Sequence, residues 1–244
     1  MERSVCIITQ ARMTSSRLPG KVLMKIAGKT ILDLHLDRLQ QTRFPIVVAT
    51  TTNAEDDPIV ELCERRNMAC VRGSEHNVLS RFAEASKNLP SECVVRVTSD
   101  CPLIDPKLIL TCVDAYFSMG HENSYVSNCF PRTYARGFDT EVFSAKMLHE
   151  ADRTSTDEFE REHVTPRFWQ NKKGEYTLRN IEQPVDHSTM RITLDTSDDF
   201  QALERLITDY GAAELTQPEI ENLLLLHPEI GALNAHVEQK KNPS

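Results

Sequence analysis

Short apolar runs alternate with segments of helical periodicity through the first half of this 244-residue chain. We predict strands at residues 5–9, 46–51, 69–71 and 93–98, and helices at 30–43, 57–67, from 78 and from 106. Asp57 and Asp105 each precede a proline, which is typical of an N-cap followed by the first helical residue. Strands that alternate with helices pair in parallel and carry helices on both faces of the sheet. The pattern therefore predicts an α/β protein whose ligands bind beyond the carboxyl ends of the strands.

The second half of the chain is less regular. We predict strands at residues 124–129, 138–143, 175–181 and 191–194, a helix at 198–210, and a last helix capped by 216–219. Residues 155–158 read Ser-Thr-Asp-Glu, which indicates a capping box that opens another helix. Residues 130–188 interrupt the α/β rhythm, so we expect an inserted section within a domain spanning 1–215. Residues 216–244 are then a helical extension with a polar, frayed tail from residue 239.

Composition excludes several classes of protein. Lys and Arg total 28 against 36 Asp and Glu, a formal charge of −8, which argues against nucleic-acid binding through a general basic surface. The longest aliphatic run, 223–226, is far short of the roughly 20 apolar residues of a membrane span, and no signal-peptide pattern opens the chain. Seven cysteines without a Cys-x-x-Cys pair indicate reduced, mostly buried thiols in a cytoplasmic protein.

Three cations cluster in the loop that follows the first predicted strand. Residues 10–21 read Gln-Ala-Arg-Met-Thr-Ser-Ser-Arg-Leu-Pro-Gly-Lys, which includes Arg12, Arg17 and Lys21 together with hydroxyl side chains. Fixed positive charges, hydroxyls and backbone N–H groups are what a polyphosphate needs. The loop matches neither the Walker nor the Rossmann glycine pattern. It predicts a phosphate-binding loop, with a charged surface loop as the alternative.

Two aspartates close predicted strands at the same edge of the sheet. Asp100 follows strand 93–98 and Asp195 follows 191–194. Each alone fits an ordinary turn, but two carboxylates from two strand ends can hold Mg²⁺ against phosphate oxygens. With the cationic loop they predict a site for a nucleoside triphosphate and a metal.

Other polar residues have two interpretations each. Arg72, Gly73 and Ser74 follow the third predicted strand and could approach a base or ribose, whereas Arg72 could simply be a strand-end cation and Arg81 could pair with a neighbouring acid. A further set in the irregular section could shape an acceptor pocket: Asp139, Glu141, Arg161, Glu162 and His163. The helical Glu-Arg-Glu-His stretch also fits a solvated face, and we expect Phe168 and Trp169 to be core or interface residues.

The stretch 10–21 resembles the N-terminal signature of cytidylyltransferases that activate acidic sugars, the acylneuraminate and 3-deoxy-manno-octulosonate cytidylyltransferases. Among these the chain is most similar to the spore coat polysaccharide biosynthesis SpsF-like branch. Further stretches carry the resemblance along nearly the whole chain: 54–60, 72–74, 98–105, 125–128, 137–139, 160–165, 191–195 and 234–240. The first stretch and the order of the others are specific, while the shorter ones are weak singly.

The resemblance implies a three-layer α/β/α Rossmann-like fold of the nucleotide-diphospho-sugar transferase type, with a mixed, mainly parallel sheet. It implies Mg²⁺-dependent transfer of CMP from CTP to an acidic sugar for surface polysaccharide synthesis, with release of pyrophosphate. Arg12 and Lys21 would hold the triphosphate near Arg17, and Asp100 and Asp195 would hold Mg²⁺. Further nucleotide contacts would come from Gln10, Ala11, Arg72, Gly73, Ser74 and Arg81. The middle section, with Asn128, would contact the acceptor and form a homodimer interface.

Three alternatives stay open from the sequence. The acceptor could be a sugar phosphate or a small phosphonate, or the nucleotide could differ from CTP. A glycosyltransferase-like protein would consume a sugar nucleotide instead of making one, and pyrophosphate release distinguishes the two. A non-catalytic binding module would be expected to lose a charged site residue, yet the four candidate catalytic residues are all present: Arg12, Lys21, Asp100 and Asp195.

Overall fold

A mixed seven-stranded sheet organises the chain in the computed structural model, which describes residues 4–88 and 91–238. The strands are β1 (Val5–Gln10), β2 (Lys25–Ile26), β3 (Lys29–Thr30), β4 (Ile46–Thr51), β5 (Ala69–Gly73), β6 (Cys93–Thr98), β7 (Ser124–Ser127), β8 (Glu141–Ser144) and β9 (Thr177–Asn180). The main sheet has the order β5-β4-β1-β6-β8-β7-β9, while β2 and β3 form a small hairpin. Only β8 runs antiparallel to its neighbours β6 and β7. The predicted mixed, mainly parallel sheet is confirmed.

Helices cover both faces of this sheet. In the described residues they are α1 (Ile31–Gln40), α2 (Asp57–Arg65), α3 (Val78–Asn88), α4 (Pro106–Met119), α5 (Ala145–Thr154), α6 (Glu158–His163), α7 (Pro166–Gln170), α8 (Ser197–Tyr210), α9 (Gln217–Leu226) and α10 (Pro228–Gly231). Side chains alternate along a strand, so Val5 and Ile7 of β1 join one core while Cys6 and Ile8 join the other. The three-layer α/β/α architecture is confirmed. None of the described helices is both long and apolar enough to cross a bilayer.

Local capping residues determine where several of these helices begin. Thr30 and Asp33 form a reciprocal capping box at α1, and Thr196 and Asp199 form another at α8. Asp105 accepts hydrogen bonds from the backbone nitrogens of residues 107 and 108, at 2.6 and 3.0 Å, and so caps α4 as predicted. The predicted role of Asp57 was wrong, because Asp57 is the first residue of α2 and Asp56 precedes it as the cap residue.

The second half departs from the prediction at several points. Asp157, whose side chain accepts from the Phe159 nitrogen, caps α6 in place of the predicted box at 155–158. Ser155 instead follows the last residue of α5, a helix that the sequence analysis missed, and its hydroxyl donates to Glu160. Residues 191–194 are not a strand, since they form only an isolated bridge to Arg136. The predicted strands at 124–129, 138–143 and 175–181 shorten to β7, β8 and β9.

The interrupting section 130–188 contributes directly to the main sheet. Its strand β8 lies between β6 and β7, and β9 forms the far edge. Residues 217–238 also pack on the rest of the chain; the Gln217 nitrogen donates to Asp105 at 2.5 Å, and Glu221 accepts from the Ala135 nitrogen at 2.9 Å. The division at residue 215 stays a prediction, and the predicted frayed tail from 239 lies outside the described residues. Five of the seven cysteines are buried, which confirms that most of these thiols are inside the protein.

The sheet order places a crevice between β1 and β6. Connections from β1 lead to β4 on one side, whereas β6 lies on the other side. Parallel strands leave such a crevice at their carboxyl ends, where loops diverge to opposite faces. The loops after β1 and β6 begin side by side, since the Ser99 nitrogen donates to the Gln10 carbonyl at 3.2 Å. The segment before Asp195 joins them, because the Leu194 nitrogen donates to the Asp100 carbonyl at 2.8 Å.

Candidate functional site

Lys21 lies at the centre of this crevice. Its ammonium contacts the Asp100 carboxylate at 2.7 Å, the Asp195 carboxylate at 2.9 Å and the Leu194 carbonyl at 2.7 Å. Burial opposes the charge on Lys21, but the two carboxylates outweigh it, so the pKa of Lys21 is raised and the group stays an ammonium. The structure thus brings together three residues that the sequence analysis assigned to one site from three separate strand ends.

The loop that carries Lys21 is fixed to the protein by Asp56. The buried Asp56 carboxylate accepts from the Met13 nitrogen at 2.7 Å and from the Thr51 nitrogen at 3.1 Å. Gly20 then turns the chain with φ of 71°, a left-handed conformation that favours glycine, and its nitrogen donates to the Met13 carbonyl at 2.8 Å. Asp56 was missed because its neighbour Asp57 gave the more obvious helix signal.

Three cations surround the Asp195 carboxylate. Besides Lys21, the guanidinium of Arg17 approaches it at 2.9 Å and that of Arg191 at 2.6 Å. Burial alone would raise the pKa of Asp195, but the charges and hydrogen bonds of these partners lower it to about 2. Asp195 is therefore a carboxylate at any physiological pH.

Arg191 is held by a second buried pair. Its guanidinium also contacts the fully buried Asp199 at 2.7 Å, and Asn234 donates to Asp199 at 2.9 Å. The predicted C-terminal extension thus touches the site, since the Glu238 carbonyl also accepts from Arg17 at 3.3 Å. Sequence reasoning missed Asp199, although its position as the third residue of α8, after the N-cap Thr196, marks a capping box.

A cavity of about 220 Å³ opens next to Lys21, and we call it the nucleotide cavity. Its wall contains eight of the candidate nucleotide, catalytic and metal residues, together with Glu162 and His163: Gln10, Ala11, Arg12, Arg17, Lys21, Arg81, Asp100 and Asp195. Arg81 is 2% exposed, and its Nε and Nη1 have no hydrogen-bond partner among the described residues. Burial, followed by the nearby charge of Arg12, lowers the pKa of Arg81 to about 10. A buried guanidinium with free donors is poised for an acceptor-rich or anionic ligand.

Gly73 permits the position of Arg81. A Cβ at residue 73 would lie 2.6 Å from the Arg81 Cγ, so any side chain there displaces the arginine stem. We expect Gly73→Ala to weaken binding of the predicted nucleoside triphosphate by roughly tenfold, the loss of about one charged hydrogen bond, as measured by calorimetry. Gly231→Ala is the matched control because a Cβ there meets nothing within 4 Å. Equal affinity for the triphosphate in both variants would contradict this role of Gly73.

A second cavity, of about 440 Å³, adjoins the nucleotide cavity, and we call it the acceptor cavity. Thr98 and His163 line both cavities and therefore mark where they meet. The His163 ring lies 4.5 Å from the Phe159 ring, and burial lowers its pKa, so the imidazole is neutral near pH 7. The rings of Phe130 and Trp169 stack at 4.7 Å on the wall of the acceptor cavity. Phe168 is a core residue as predicted, and Trp169 packs against the same core while it also lines this cavity.

In the described part of the chain, the wall of the acceptor cavity contains three arginines and two acidic side chains, so one cation has no acidic partner there. Glu141 is paired with Arg96, and Asp139 with both terminal nitrogens of Arg132, one of them at 2.6 Å. Arg136, which is half-buried, also lines the cavity, and within the described residues nothing forms an ion pair or hydrogen bond with its guanidinium. The acceptor cavity therefore presents one uncompensated positive charge. Arg96, Arg132 and Arg136 were missed by the sequence analysis, which found no local pattern around them.

Five of the predicted contact residues lie on neither cavity wall: Arg72, Gly73, Ser74, Asn128 and Arg161. Arg72 is bound by the carbonyls of residues 51 and 53 and pairs with Asp57 at 2.7 Å. Ser74 accepts from the Asn77 nitrogen, and the buried Asn128 bridges backbone groups of residues 138 and 140. Arg161 pairs with Asp152 at 2.6 Å. Their hydrogen bonds are local, so the structure gives them positions in the framework around the site.

The carboxylate pair suits a hard divalent cation. Asp100, Asp195 and the Leu194 carbonyl already point their oxygens at one cationic group, and Mg²⁺ is commonly bound by one or two carboxylates plus phosphates and water. The described residues contain no cluster of three or more His, Cys, Asp or Glu side chains with metal-site geometry. The donor set thus fits a metal that arrives with a phosphate ligand.

A Rossmann-like sheet with cations and paired aspartates at its switch point is the arrangement of a nucleotidyltransferase. The sequence profile of the family described as cytidylyltransferase matches residues 5–240. The chain therefore belongs to the cytidylyltransferase family and is an enzyme of the nucleotidyltransferase class.

Known proteins support this assignment along the whole chain. The spore coat polysaccharide biosynthesis protein SpsF of Bacillus subtilis is 30% identical over 236 residues, which cover 92% of this chain and 95% of SpsF. A cytidylyltransferase structure from Leptospira borgpetersenii is 31% identical with a TM-score of 0.89, and covers 99% of this chain and 100% of that one. The 3-deoxy-manno-octulosonate cytidylyltransferase of Anaeromyxobacter dehalogenans is 35% identical over 116 residues, 46% of this chain and 47% of that protein.

Proposed function

We propose that this enzyme transfers CMP from CTP to an acidic sugar and releases pyrophosphate, for the synthesis of a surface polysaccharide. The observation that carries this proposal is that two cavities meet at His163. The nucleotide cavity contains Lys21, Asp100 and Asp195. The acceptor cavity contains one arginine without a charged partner among the described residues, Arg136. The names of the relatives, SpsF and 3-deoxy-manno-octulosonate cytidylyltransferase, support the same substrate class.

The chain's own residues act mainly by positioning in this proposal. Arg12 and Arg17 hold the β- and γ-phosphates, and Arg81 offers its free N–H donors to the nucleotide. Asp100 and Asp195 would hold Mg²⁺, which when bound supplies positive charge against the departing pyrophosphate. The acceptor cavity holds the sugar so that its hydroxyl oxygen faces the α-phosphorus across the junction. The oxygen–phosphorus bond forms as the bond to pyrophosphate breaks, and the neutral imidazole of His163, which lines both cavities, accepts the hydroxyl proton.

The charge of the acceptor cavity favours a sugar acid over a sugar phosphate. One unpaired guanidinium matches one carboxylate, and Arg136 can bind a carboxylate through two parallel hydrogen bonds. A phosphate monoester carries up to two negative charges at neutral pH, and the other two arginines of the wall are already neutralised by Glu141 and Asp139. An acidic sugar is therefore the better electrostatic match.

Two experiments test this function: the change in melting temperature with each of four nucleotides, and the release of pyrophosphate with different acceptors. CTP with Mg²⁺ should raise the melting temperature more than UTP, GTP or ATP, because a ligand of the folded state stabilises it. Pyrophosphate should then appear with 3-deoxy-manno-octulosonate or an acylneuraminate, but not with glucose 1-phosphate or 2-aminoethylphosphonate. Release with glucose 1-phosphate or 2-aminoethylphosphonate, but with neither sugar acid, would contradict the sugar-acid proposal. Stabilisation only by a finished sugar nucleotide would contradict cytidylyl transfer.

Arg136→Gln tests the acceptor site separately from the nucleotide site. We expect the KM for the acid to rise on the order of 10- to 100-fold, the value of a charged hydrogen bond, with the CTP thermal shift unchanged. Arg65→Gln is the matched control, since its side chain is 67% exposed on α2. An unchanged KM in Arg136→Gln would remove Arg136 from the acceptor site.

We further propose a homodimer through the section 130–188, in the cytoplasm. Strand β9 is a sheet edge, and Leu178 and Val185 near it are 46% and 60% exposed; exposed strand edges invite pairing with another chain. Seven free thiols favour a reducing compartment. Sedimentation should give twice the chain mass, and Leu178→Lys should shift it toward the monomer. A wild-type monomer at assay concentration would contradict the dimer.

A further inference from the structure

We propose that the Lys21 ammonium occupies the divalent-cation position in the nucleotide-free protein, so that the metal binds only when a triphosphate draws Lys21 away from Asp100 and Asp195. The inference rests on the proposed function for the identity of the triphosphate. It assigns Lys21 a role as an internal counter-cation, in addition to its expected contact with phosphate.

The contacts of Lys21 leave no room for a second cation. An ammonium has three N–H donors, and all three are taken by oxygens at 2.7, 2.7 and 2.9 Å. Two of these oxygens belong to Asp100 and Asp195, the expected metal ligands. Like charges about 4 Å apart repel strongly in a partly buried site, because little water screens them. A divalent cation and the ammonium therefore exclude each other from this position.

Because Lys21 is buried, it can leave Asp100 and Asp195 for a divalent cation only if another anion is available to pair with it. The Lys21 side chain is only 10% exposed and the Asp195 side chain 13%, so solvent is a poor replacement for the lost ion pairs. An unpaired buried charge is costly. A triphosphate in the nucleotide cavity supplies phosphate oxygens to Lys21 beside Arg12 and Arg17, which line the same wall. The metal alone brings no such partner, whereas the metal with its triphosphate does.

The site keeps its shape when Lys21 leaves. Asp195 retains the guanidinium of Arg191 at 2.6 Å, and Arg191 is fixed in turn by Asp199 at 2.7 Å. Arg191 and Asp199 are thus positioning residues that hold the Asp195 carboxylate ready for a metal. The exchange requires movement of one flexible lysine side chain and no rearrangement of the backbone.

Mn²⁺ binding without nucleotide tests the inference independently of turnover. We expect electron paramagnetic resonance to detect little Mn²⁺ binding to the wild-type protein alone. Lys21→Met should bind Mn²⁺ on the order of 10- to 100-fold more tightly, the usual range of such coupling, because it removes the one ammonium that Asp100 and Asp195 share. Asp195 keeps Arg17 and Arg191 in both proteins, so the comparison reports on Lys21 alone. Lys25→Met, at an exposed lysine nearby, should behave like the wild type. Lys21→Met with Asp195→Asn should lose the gained site.

Two outcomes overturn the proposal. One is wild-type protein that binds Mn²⁺ alone as tightly as Lys21→Met does. The other is a gained site that survives Asp195→Asn, since the ions would then bind elsewhere. If Lys21→Met does not fold, Lys21→Gln, which keeps a polar tip of similar length, replaces it. A different result would contradict the proposed function, namely the absence of any CTP-induced thermal shift in the wild type. That result would not affect the Mn²⁺ comparison.

Discussion

Replacing Asp195 with asparagine is expected to lower kcat/KM for pyrophosphate release by about 10³-fold, the loss found when a preorganised charge-stabilising group is removed. Asparagine keeps the size of the side chain but removes the charge that would hold the metal near the leaving pyrophosphate. The fold should survive, because Lys21 keeps Asp100 at 2.7 Å and Arg191 keeps Asp199 at 2.7 Å. Steady-state release of pyrophosphate with the best acidic acceptor, beside a thermal melt, measures both quantities.

Asp209→Asn is the matched control for this substitution. Asp209 is 51% exposed on α8, and its partner Arg205 lies at 3.6 Å, so the same chemical change should alter neither activity nor melting by a measurable amount. Asp100→Asn should resemble Asp195→Asn, since both carboxylates contact the same ammonium. Turnover in Asp195→Asn within tenfold of the wild type would exclude Asp195 as a metal ligand.

The convergence of Lys21, Asp100 and Asp195 was accessible to sequence analysis because its determinants are local. Each of Lys21, Asp100 and Asp195 follows an extended segment, and parallel strands bring their carboxyl ends to one edge. This held even though the segment before Asp195 is not a strand, because its backbone bonds to Asp100 directly. The fold class followed from the same alternation of strands and helices.

The acceptor side was not accessible in the same way. Arg96 on β6 meets Glu141 on β8 through an antiparallel register between residues 45 positions apart, and no local spacing reveals such a pair. Arg136 is distinguished only by the partner it lacks, which requires knowing where every nearby carboxylate lies. For Arg72 the sequence left a nucleotide contact and an ordinary ion pair equally open, since a cation at a strand end looks free until its contacts with Asp57 and two carbonyls are seen.

Replacing Glu141 with alanine is expected to destabilise the protein by about 3–5 kcal/mol, the cost of leaving a buried charge without its partner. Glu141 pairs with Arg96 and accepts from the Tyr125 hydroxyl and, at 2.6 Å, from the Thr165 hydroxyl. Its side chain is 8% exposed and that of Arg96 is 15% exposed, so water cannot replace these bonds. The melting temperature should fall by about 10 °C for a protein of this size.

A second substitution distinguishes the stability lost because Arg96 is left without a partner from the stability lost through poorer packing. Glu141→Ala combined with Arg96→Met removes both charges, and should recover more than half of the lost stability, because replacing a buried pair with apolar groups is far less costly than breaking it. Chemical denaturation of wild type, both single variants and the double variant gives this interaction energy. Equal losses in Glu141→Ala and the double variant would mean that Glu141 stabilises the acceptor cavity through Tyr125 and Thr165, with no contribution from its ion pair. Recovery in the double variant would instead show that the pair neutralises Arg96, and so leaves Arg136 as the free cation of the acceptor cavity.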